Sequence, residues 1–231
     1  MLNKNQLQHL ELFEGIAPQT IEKLLLSGKV LEVSKGTVVM RAKEPISQVL
    51  FQLSGKSILY NLTHAGKRKI LFVMGKGALL NDHIFNDQTP SVYCEVIDRS
   101  CILAVPARDL MRMMTEDSVL MKNILEAQEK KIWRLSHQLK NTMSSIYLER
   151  KLASKLWKLG RDFGIPAENG IEIDMNLSIT FLADMLGAPR ETTSRVFAEL
   201  VEYGLIKANK KRVVILDKDK MLTFYKTGKI D

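Results

Sequence analysis

Cysteine and long apolar stretches are scarce in this chain of 231 residues. Its two cysteines, Cys94 and Cys101, are too few for a disulfide framework and suit a reducing compartment. No apolar run reaches the ~18 residues that a membrane-spanning helix needs. Met1–Leu12 is polar where a signal peptide would have an apolar core. We therefore expect a cytoplasmic protein without a membrane partner.

Motifs of catalysis and of metal binding are also missing. The sequence has no Ser-His-Asp order, no His/Cys metal spacing and no phosphate-cradling glycine loop. Its run Gly75–Gly77 is too short for such a loop and is typical of a turn. Two cysteines cannot supply the four thiolates of an iron–sulfur cubane. None of the histidines lies in a haem signature: His9, His64, His83 and His137. We predict that the protein is not an enzyme and has no catalytic residue, metal site or resident cofactor.

Composition favours a globular protein with a polyanionic partner. Apolar residues make up 45% of the chain, which suffices for a core, and the length favours two domains. The formal net charge of +8 fits a partner such as nucleic acid.

Short strands fill the first half of the chain. After helices at Gln6–Leu12 and Pro18–Ser27, alternating apolar stretches recur about every ten residues, separated by glycine turns. The predicted strands are Val30–Val33, Thr37–Met40, Gln48–Leu53, Ser57–Leu62, Lys69–Met74, Val92–Val96 and Cys101–Val105. This pattern predicts a β-sandwich or jelly-roll-like β-roll over residues 1–116.

A helical stretch without proline or glycine follows, from Asp117 to about Met143. Its seam residues recur with alternating spacings of four and three, a heptad pattern interrupted by one glutamine. They are Met121, Leu125, Gln128, Ile132, Leu135 and Leu139. A single helix packed on the β-roll is one interpretation, but the heptad period favours a parallel homodimer along residues 117–145. A second helix, Tyr147–Leu159, and a connection, Gly160–Gly170, come next.

The last third of the chain reads as two helices joined by a tight turn, and then a basic hairpin. Ser178 is placed to cap the first helix, Gly187 to turn with positive φ, and Pro189 to enter the second helix. The predicted core face of that second helix consists of Val196, Leu200 and Val201. This layout predicts a winged helix-turn-helix over residues 146–231. Together with the β-roll and the long helix it gives an α+β fold.

Polar side chains on the second helix and the hairpin point to duplex DNA. Glu191, Ser194 and Arg195 are three and four residues apart and share a face. Arginine can bond guanine bidentately, and glutamate can accept from cytosine. A plain helical hairpin with a solvated charged face is the competing interpretation, which the turn and the basic hairpin disfavour. The predicted DNA-binding residues are Ser178, Arg190, Glu191, Thr192, Ser194, Arg195, Lys210, Lys211 and Arg212.

These residues carry a family resemblance. The run Pro189–Arg195, after Leu182–Gly187 and before Leu200–Ile206, resembles the recognition motif of the Crp/Fnr transcription regulators. The upstream architecture is more loosely similar over nearly all of the chain. The resemblance implies a cyclic-nucleotide-binding-like sensor domain, a dimer interface along the long helix, and a homodimer on a pseudo-palindromic operator. It implies contacts with bases or phosphates at Arg190, Glu191, Ser194 and Arg195.

The sensor segment departs from the pattern of the family's nucleotide binders. Asn81-Asp82 stands where they have Gly-Glu, Pro90-Ser91 where they have Arg-Ser, and Lys43-Glu44 where an early turn has Gly-Glu or Gly-Asp. No Lys or Arg between Lys76 and Arg99 is available to neutralise a buried phosphate. Cyclic AMP and cyclic GMP are therefore disfavoured. The segment loosely resembles regulators of halorespiration that sense chlorinated phenols, so we expect a small organic effector.

The expected effector site lies between the β-roll and the long helix. Its predicted residues are Phe72, Met74, Leu80, Asn81, Asp82, Pro90, Ser91, Tyr93, Ser136 and His137. Two alternatives stay open: a ligand-binding regulatory module that does not meet DNA, and a redox sensor that uses Cys94 and Cys101, which are otherwise small core residues. The resemblance favours an activator, with RNA polymerase as a further partner.

Overall fold

The computed structural model describes residues 7–85, 89–143 and 147–230. The chain divides into two compact units. One holds the chain up to Asn61 together with Leu71–His137, and the other holds Leu62–Ile70 together with the chain from Gln138 onward. None of the helices in the described ranges combines the length and the apolar character needed to span a bilayer.

The first unit is built mainly on β-structure. In the described residues, helical residues 7–8, a 3₁₀ turn at Glu11–Phe13 and the helix α1 (Pro18–Ser27) precede the strands, so the predicted helix at Gln6–Leu12 is interrupted. The strands are β1 (Lys29–Val33), β2 (Val38–Met40), β3 (Gln48–Ser54), β4 (Ser57–Leu62), β5 (Arg68–Met74), β6 (Tyr93–Val96) and β7 (Ser100–Pro106). The strands form two sheets with the orders β1-β7-β3 and β2-β6-β4-β5. Leu50 of one sheet and Leu59 of the other lie in the same buried cluster. The predicted β-roll is confirmed.

Two helices follow the roll, α2 (Ala107–Glu116) and α3 (Ser118–Met143). The sequence analysis did not predict α2, which buries Leu110, Met113 and Met114. Asp117 ends it and starts α3, because its carboxylate accepts hydrogen bonds from the backbone N–H groups of Val119 and Leu120. Burial alone would raise the pKa of this carboxyl, but hydrogen bonds from the Thr20 hydroxyl and the Ala17 N–H, together with those at the start of α3, outweigh burial and lower it.

The second unit contains helices and a small sheet. Its elements are α4 (Leu148–Phe163), β8 (Gly164–Ala167), β9 (Gly170–Ile173), α5 (Ile179–Leu186), α6 (Arg190–Glu202), β10 (Ile206–Asn209), β11 (Arg212–Ile215) and α7 (Lys218–Thr227). The strand order in its sheet is β10-β11-β9-β8. Two helices joined by a tight turn and followed by a β-hairpin confirm the predicted winged helix-turn-helix.

The prediction of a connection over Gly160–Gly170 was wrong. The helix continues to Phe163, and β8 then pairs antiparallel with β9. Gly160 serves close packing, since a Cβ there would lie 2.5 Å from the Cδ1 atom of Ile215. Glycine in this segment therefore marks close contact between elements as well as a turn.

The turn between α5 and α6 has the predicted geometry. Ser178 caps α5 by accepting a hydrogen bond from the N–H of Phe181 at 3.1 Å, and Gly187 ends it in the left-handed region with φ of 71°. The core face of α6 needs one correction: Val196 and Leu200 are buried, but Val201 is exposed. Thr193 takes its place in the core, because positions 193, 196 and 200 follow the helical three-and-four spacing that 201 breaks.

Candidate functional site

Helix α6 presents a polar surface at its N-terminal end. Arg190, Glu191, Ser194 and Arg195 are exposed, and Thr192 is half-buried. The Arg195 guanidinium is 3.9 Å from the Glu199 carboxylate, and the arginine side chain stays 74% exposed. Pro189 precedes α6 and has no side-chain acceptor to cap it. The first backbone N–H groups of α6 can therefore bind an anion from outside.

The hairpin of β10 and β11 forms the wing, with Lys210 at its tip in the left-handed region with φ of 55°. Lys210 and Lys211 are exposed, and the Lys211 carbonyl accepts a hydrogen bond from the N–H of Leu177 at 2.8 Å. Arg212 pairs with Glu172 at 3.4 Å and with Asp174 at 3.2 Å. Its charge is therefore partly compensated within the unit, whereas Lys210 and Lys211 are exposed at the tip of the wing.

The polar residues of the predicted effector site are partly structural. Asn81 is buried; its Oδ1 accepts from the N–H of Leu50 at 2.7 Å, and its Nδ2 donates to the carbonyl of Gln48 at 3.0 Å. Asp82 accepts from the N–H of Ser91 at 2.8 Å and from its hydroxyl at 2.5 Å. Its other oxygen, Oδ1, is buried and has no hydrogen-bond partner among the described residues. The structure thus brings Asp82 and Ser91 together; the nearby residues 86–88 lie outside the described ranges.

The remaining predicted effector residues have separate environments. Phe72, Met74 and Leu80 belong to the buried cluster between the two sheets of the roll, and Pro90 is buried. The Tyr93 ring stacks on that of Tyr60, with centroids 5.1 Å apart.

Ser136 and His137 are exposed on α3. The Ser136 hydroxyl donates to the carbonyl of Ile132, and the His137 ring lies 4.0 Å from that of Trp133. The contacts described for this pair therefore stay within the helix.

Lys131 of α3 was missed by the sequence analysis. Its Nζ donates to the backbone carbonyl of Asn81 at 2.7 Å, and Nε2 of Gln128 lies 3.4 Å from the same oxygen. Burial lowers the pKa of Lys131 to about 8, although the nearby Asp82 carboxylate opposes this. The cation that the strand segment lacks is thus supplied by the helix. A sequence signal existed, because Lys131 lies three residues after the polar seam residue Gln128 and shares its face.

The two cysteines differ in exposure: Cys94 is buried and Cys101 is half-buried. Burial raises the pKa of the Cys94 thiol to about 12, despite a hydrogen bond with Ser57 and the charge of Lys131. A thiol that stays protonated at neutral pH is a poor nucleophile and a poor redox centre. The geometry therefore gives the cysteine-sensor alternative no support. In the described ranges, no group of three His, Cys, Asp or Glu side chains is placed to hold a metal ion.

The predicted seam of α3 divides into two groups. Met121 packs against the core of the roll, and Gln128 contacts Asn81 of its own chain. The other four are exposed by 42% to 63%: Leu125, Ile132, Leu135 and Leu139. These four residues define the apolar strip of α3. Apolar side chains at heptad spacing on one helix are typical of a helix–helix contact.

Comparisons with known proteins agree with this architecture. The family model of the cyclic nucleotide-binding domain matches residues 30–117, and that of the Crp-like helix-turn-helix domain matches residues 150–224. The chain is 27% identical over 197 residues to a probable transcriptional regulator, flp, of Lacticaseibacillus casei, covering 84% of this chain and 85% of the relative. It is 21% identical over 211 residues to a CRP-like cAMP-activated global transcriptional regulator of Mycobacterium tuberculosis, covering 91% and 94%. These relatives are transcription regulators rather than enzymes.

A solved structure shares the fold. The structure of a CooA mutant from Carboxydothermus hydrogenoformans superposes with a TM-score of 0.72 at 20% identity, covering 87% of this chain and 89% of the other.

Proposed function

The chain belongs to the Crp/Fnr family of transcription regulators, and on that premise we propose that it works as a homodimer on a pseudo-palindromic operator, switched by a small organic effector. The observation that carries the proposal is the exposed polar surface of α6 behind the left-handed turn at Gly187. Two such helices would enter successive major grooves about 34 Å apart. A DNA-binding regulator of this type acts in the cytoplasm.

Each side chain of this surface has a distinct role in the proposal. Arg195 and Glu191 read a G·C pair in each half-site, because guanidinium and carboxylate complement guanine and cytosine edges. Arg190 and Thr192 contact phosphate at the start of α6. Lys210 and Lys211 of the wing contact the backbone without reading sequence. Arg212 contributes less, since two carboxylates already pair with it.

The dimer in this proposal forms along α3. The apolar strip defined above is exposed in the single chain, and covering such side chains stabilises by roughly 25 cal/mol for each Å² removed from water. A parallel pairing places the two copies of each strip residue side by side. A twofold axis along the helices then produces the twofold symmetry that a pseudo-palindromic operator requires.

The effector binds next to Asp82 and Lys131. Asp82 offers the unpartnered acceptor Oδ1, and Lys131 offers an ammonium now donating to a backbone carbonyl. An effector with a donor for the first group and an acceptor for the second would satisfy both. A relative is named cAMP-activated, but in this chain Pro90-Ser91 stands where the resemblance leads us to expect Arg-Ser, and Lys131 already donates to the Asn81 carbonyl, so we expect a ligand without a cyclic phosphate.

The switch follows from the position of Lys131. The same helix carries this lysine and the apolar strip, so an effector that engages Lys131 acts on the element that forms the dimer. We expect the effector to shift the population towards a dimer geometry that spaces the two α6 helices correctly for DNA. Activation would further require a contact with RNA polymerase.

Selection from random duplexes tests the DNA-binding part. Purified full-length protein, with and without an extract of small molecules from its host, would select from a random duplex library. We expect an enriched consensus with twofold symmetry and half-site centres about 10–10.5 base pairs apart. Enrichment of an unsymmetrical site, or binding to all sequences alike, would contradict the proposal. Native mass spectrometry of protein purified from its host identifies a retained effector.

A further inference from the structure

Lys131 of α3 holds an amine against the roll at a point where donors share an acceptor. Its Nζ donates to the backbone carbonyl of Asn81 at 2.7 Å, and Nε2 of Gln128 lies 3.4 Å from the same oxygen. The lysine side chain is half-buried. An ammonium has three N–H donors, so keeping it charged here has an electrostatic cost.

A carboxylate with an open acceptor belongs to the same site. Asp82 follows Asn81 in the chain, and its charge acts on the Lys131 ammonium. Its Oδ2 accepts from the N–H and the hydroxyl of Ser91, whereas its Oδ1 is buried and has no hydrogen-bond partner among the described residues. A buried carboxylate oxygen normally has a donor, so the site can take one more N–H group beside Lys131.

The protonation state of Lys131 fits a nucleophile. Burial lowers the pKa of this lysine to about 8, so roughly a tenth of the side chains carry a neutral amine at pH 7. Desolvated lysines of this kind form Schiff bases with carbonyl compounds. The iminium that results has a single N–H donor where the ammonium has three, so one acceptor satisfies it.

We propose that Lys131 captures the effector covalently, as a Schiff base with a small neutral aldehyde or ketone, and that Asp82 is the counter-ion of the iminium. This capture rests on the effector site proposed above and narrows the class of its ligand. Once the iminium N–H is bonded to Asp82 Oδ1, Lys131 no longer donates to Asn81. The adduct therefore removes a contact between α3 and the roll.

The capture needs no further reactant. The Lys131 ammonium first gives one proton to water. Its nitrogen then attacks the carbonyl carbon, so that a C–N bond forms, the C=O π bond opens, and a second proton moves from nitrogen to oxygen. The hydroxyl takes up the first proton and leaves as water while the C=N bond forms. The net charge is unchanged, and nothing is oxidised or reduced.

Charge selects among carbonyl compounds. The iminium and Asp82 compensate each other, so an oxo acid would bring a second carboxylate to a site with a single cation. Like charges placed together in this way are unfavourable. A neutral aldehyde or ketone avoids this cost, and we expect it to be preferred to an oxo acid such as pyruvate.

Reductive trapping of the full-length protein tests the capture. Benzaldehyde, butanal or pyruvate is added at pH 7.5 with sodium cyanoborohydride, which reduces an iminium to a stable secondary amine, and peptide mass spectrometry follows each lysine. We expect benzaldehyde or butanal to label Lys131 about tenfold or more faster than Lys155 and Lys122. Lys155 is the matched control, because its pKa is also lowered to about 8, but by burial and two neighbouring lysines. Lys122 is an exposed lysine of α3.

Replacement of Asp82 separates the site from simple amine reactivity. The charge of Asp82 opposes the lowering of the Lys131 pKa, so Asp82→Asn leaves more neutral amine and reactivity alone predicts faster labelling. The iminium instead loses its counter-ion, and we expect labelling of Lys131 to fall about fivefold or more. Lys131→Arg keeps a cation without a reactive amine and should carry no adduct at this position. Thermal melting of each variant is the folding control.

Three results would overturn parts of this assignment. Labelling of Lys131 no faster than that of Lys155 with all three probes would overturn the Schiff base. Faster labelling in Asp82→Asn would overturn the role of the counter-ion, and a preference for pyruvate would overturn the neutral class of ligand. The proposed function fails separately: an adduct that leaves operator affinity unchanged would overturn the switch and leave the capture intact. An effector found at this site without a bond to Lys131 would do the reverse.

Discussion

The ammonium of Lys131 donates a hydrogen bond of 2.7 Å to the backbone carbonyl of Asn81. Asn81 is itself fixed in the roll, because its side chain bonds the backbone of Gln48 and Leu50 on β3. The contact therefore joins the rigid part of the sensor to the helix that carries the apolar strip. A ligand that takes Lys131 from this carbonyl would remove one of the contacts between α3 and the roll, and this is the change on which the proposed switch depends.

Lys131 should give the protein a distinctive pH dependence. Its pKa is lowered from an ordinary value of 10.5 to about 8, so between these values the unfolded chain binds more protons than the folded one. The free energy of unfolding of the wild type should therefore rise between pH 8 and pH 10. We expect this rise to exceed that of Lys131→Met by about 2 kcal/mol. Urea denaturation of both proteins at pH 7, 8.5 and 10 measures this difference.

The free energies of unfolding of wild type and Lys131→Met are compared at each pH. Cys94 also has a shifted pKa, but it is present in both proteins, so the difference between them reports on Lys131. Lys122→Met removes an exposed lysine of the same helix and is the matched control for loss of a lysine from α3. A constant difference for Lys131→Met would show that the lysine is not desolvated.

Dimerisation should depend on the apolar strip of α3. Ile132→Glu places a charge in the middle of the strip, where pairing of two helices would bring two carboxylates together. We expect a dimer to become a monomer at micromolar concentration in analytical ultracentrifugation, with far-UV circular dichroism unchanged. Leu26→Glu is the control, since Leu26 is exposed on α1 and outside the strip. A dimer that persists in Ile132→Glu would place the interface elsewhere.

Local signals made the winged helix-turn-helix predictable. Ser178, Gly187 and Pro189 each affect the backbone at their own position, so their sequence spacing sets the two helices and the turn. The pairing of β8 with β9 was not predictable in this way. Gly164 and Pro166 are typical of turns, but they pair with Ile173 and Ile171 of β9. That strand is in turn held by pairing with the distant strand β11, which local sequence does not show.

The acceptors of the half-buried lysines could not be predicted from the sequence, although the position of Lys131 on the face of Gln128 gave a signal that it lies near the seam. Lys131 lies 50 residues from its acceptor Asn81, and Lys69 lies 116 residues from its acceptor Met185. A lysine in a charged helix is normally solvated, so nothing local distinguishes Lys155 from its neighbours. The heptad pattern likewise predicts an apolar seam. It does not show that Met121 and Gln128 contact the roll of their own chain and so are not free to contact a partner helix.

Arg195 and Lys211 should affect DNA binding in different ways. Arg195→Ala removes a base contact and should cost about 1–3 kcal/mol per half-site, with specificity relaxed at one base pair. Lys211→Ala removes a phosphate contact and should weaken all sequences alike, reducing the salt slope by about 1 per chain. Fluorescence anisotropy on the selected operator and on single-base variants, over a range of salt, separates the two effects. Equal loss of specificity in both variants would argue against this division of roles.

Ser178 has two candidate roles that substitutions can separate. Its hydroxyl accepts from the N–H of Phe181, so Ser178→Ala should lower the free energy of unfolding by about 1 kcal/mol through loss of the cap. Ser178→Asp keeps a capping oxygen and should retain nearly all of the stability. If the serine also contacts DNA, the added carboxylate should weaken operator binding through repulsion by the phosphates. Stable protein with wild-type affinity for Ser178→Asp would instead confine the residue to capping α5, leaving DNA recognition to α6 and the wing.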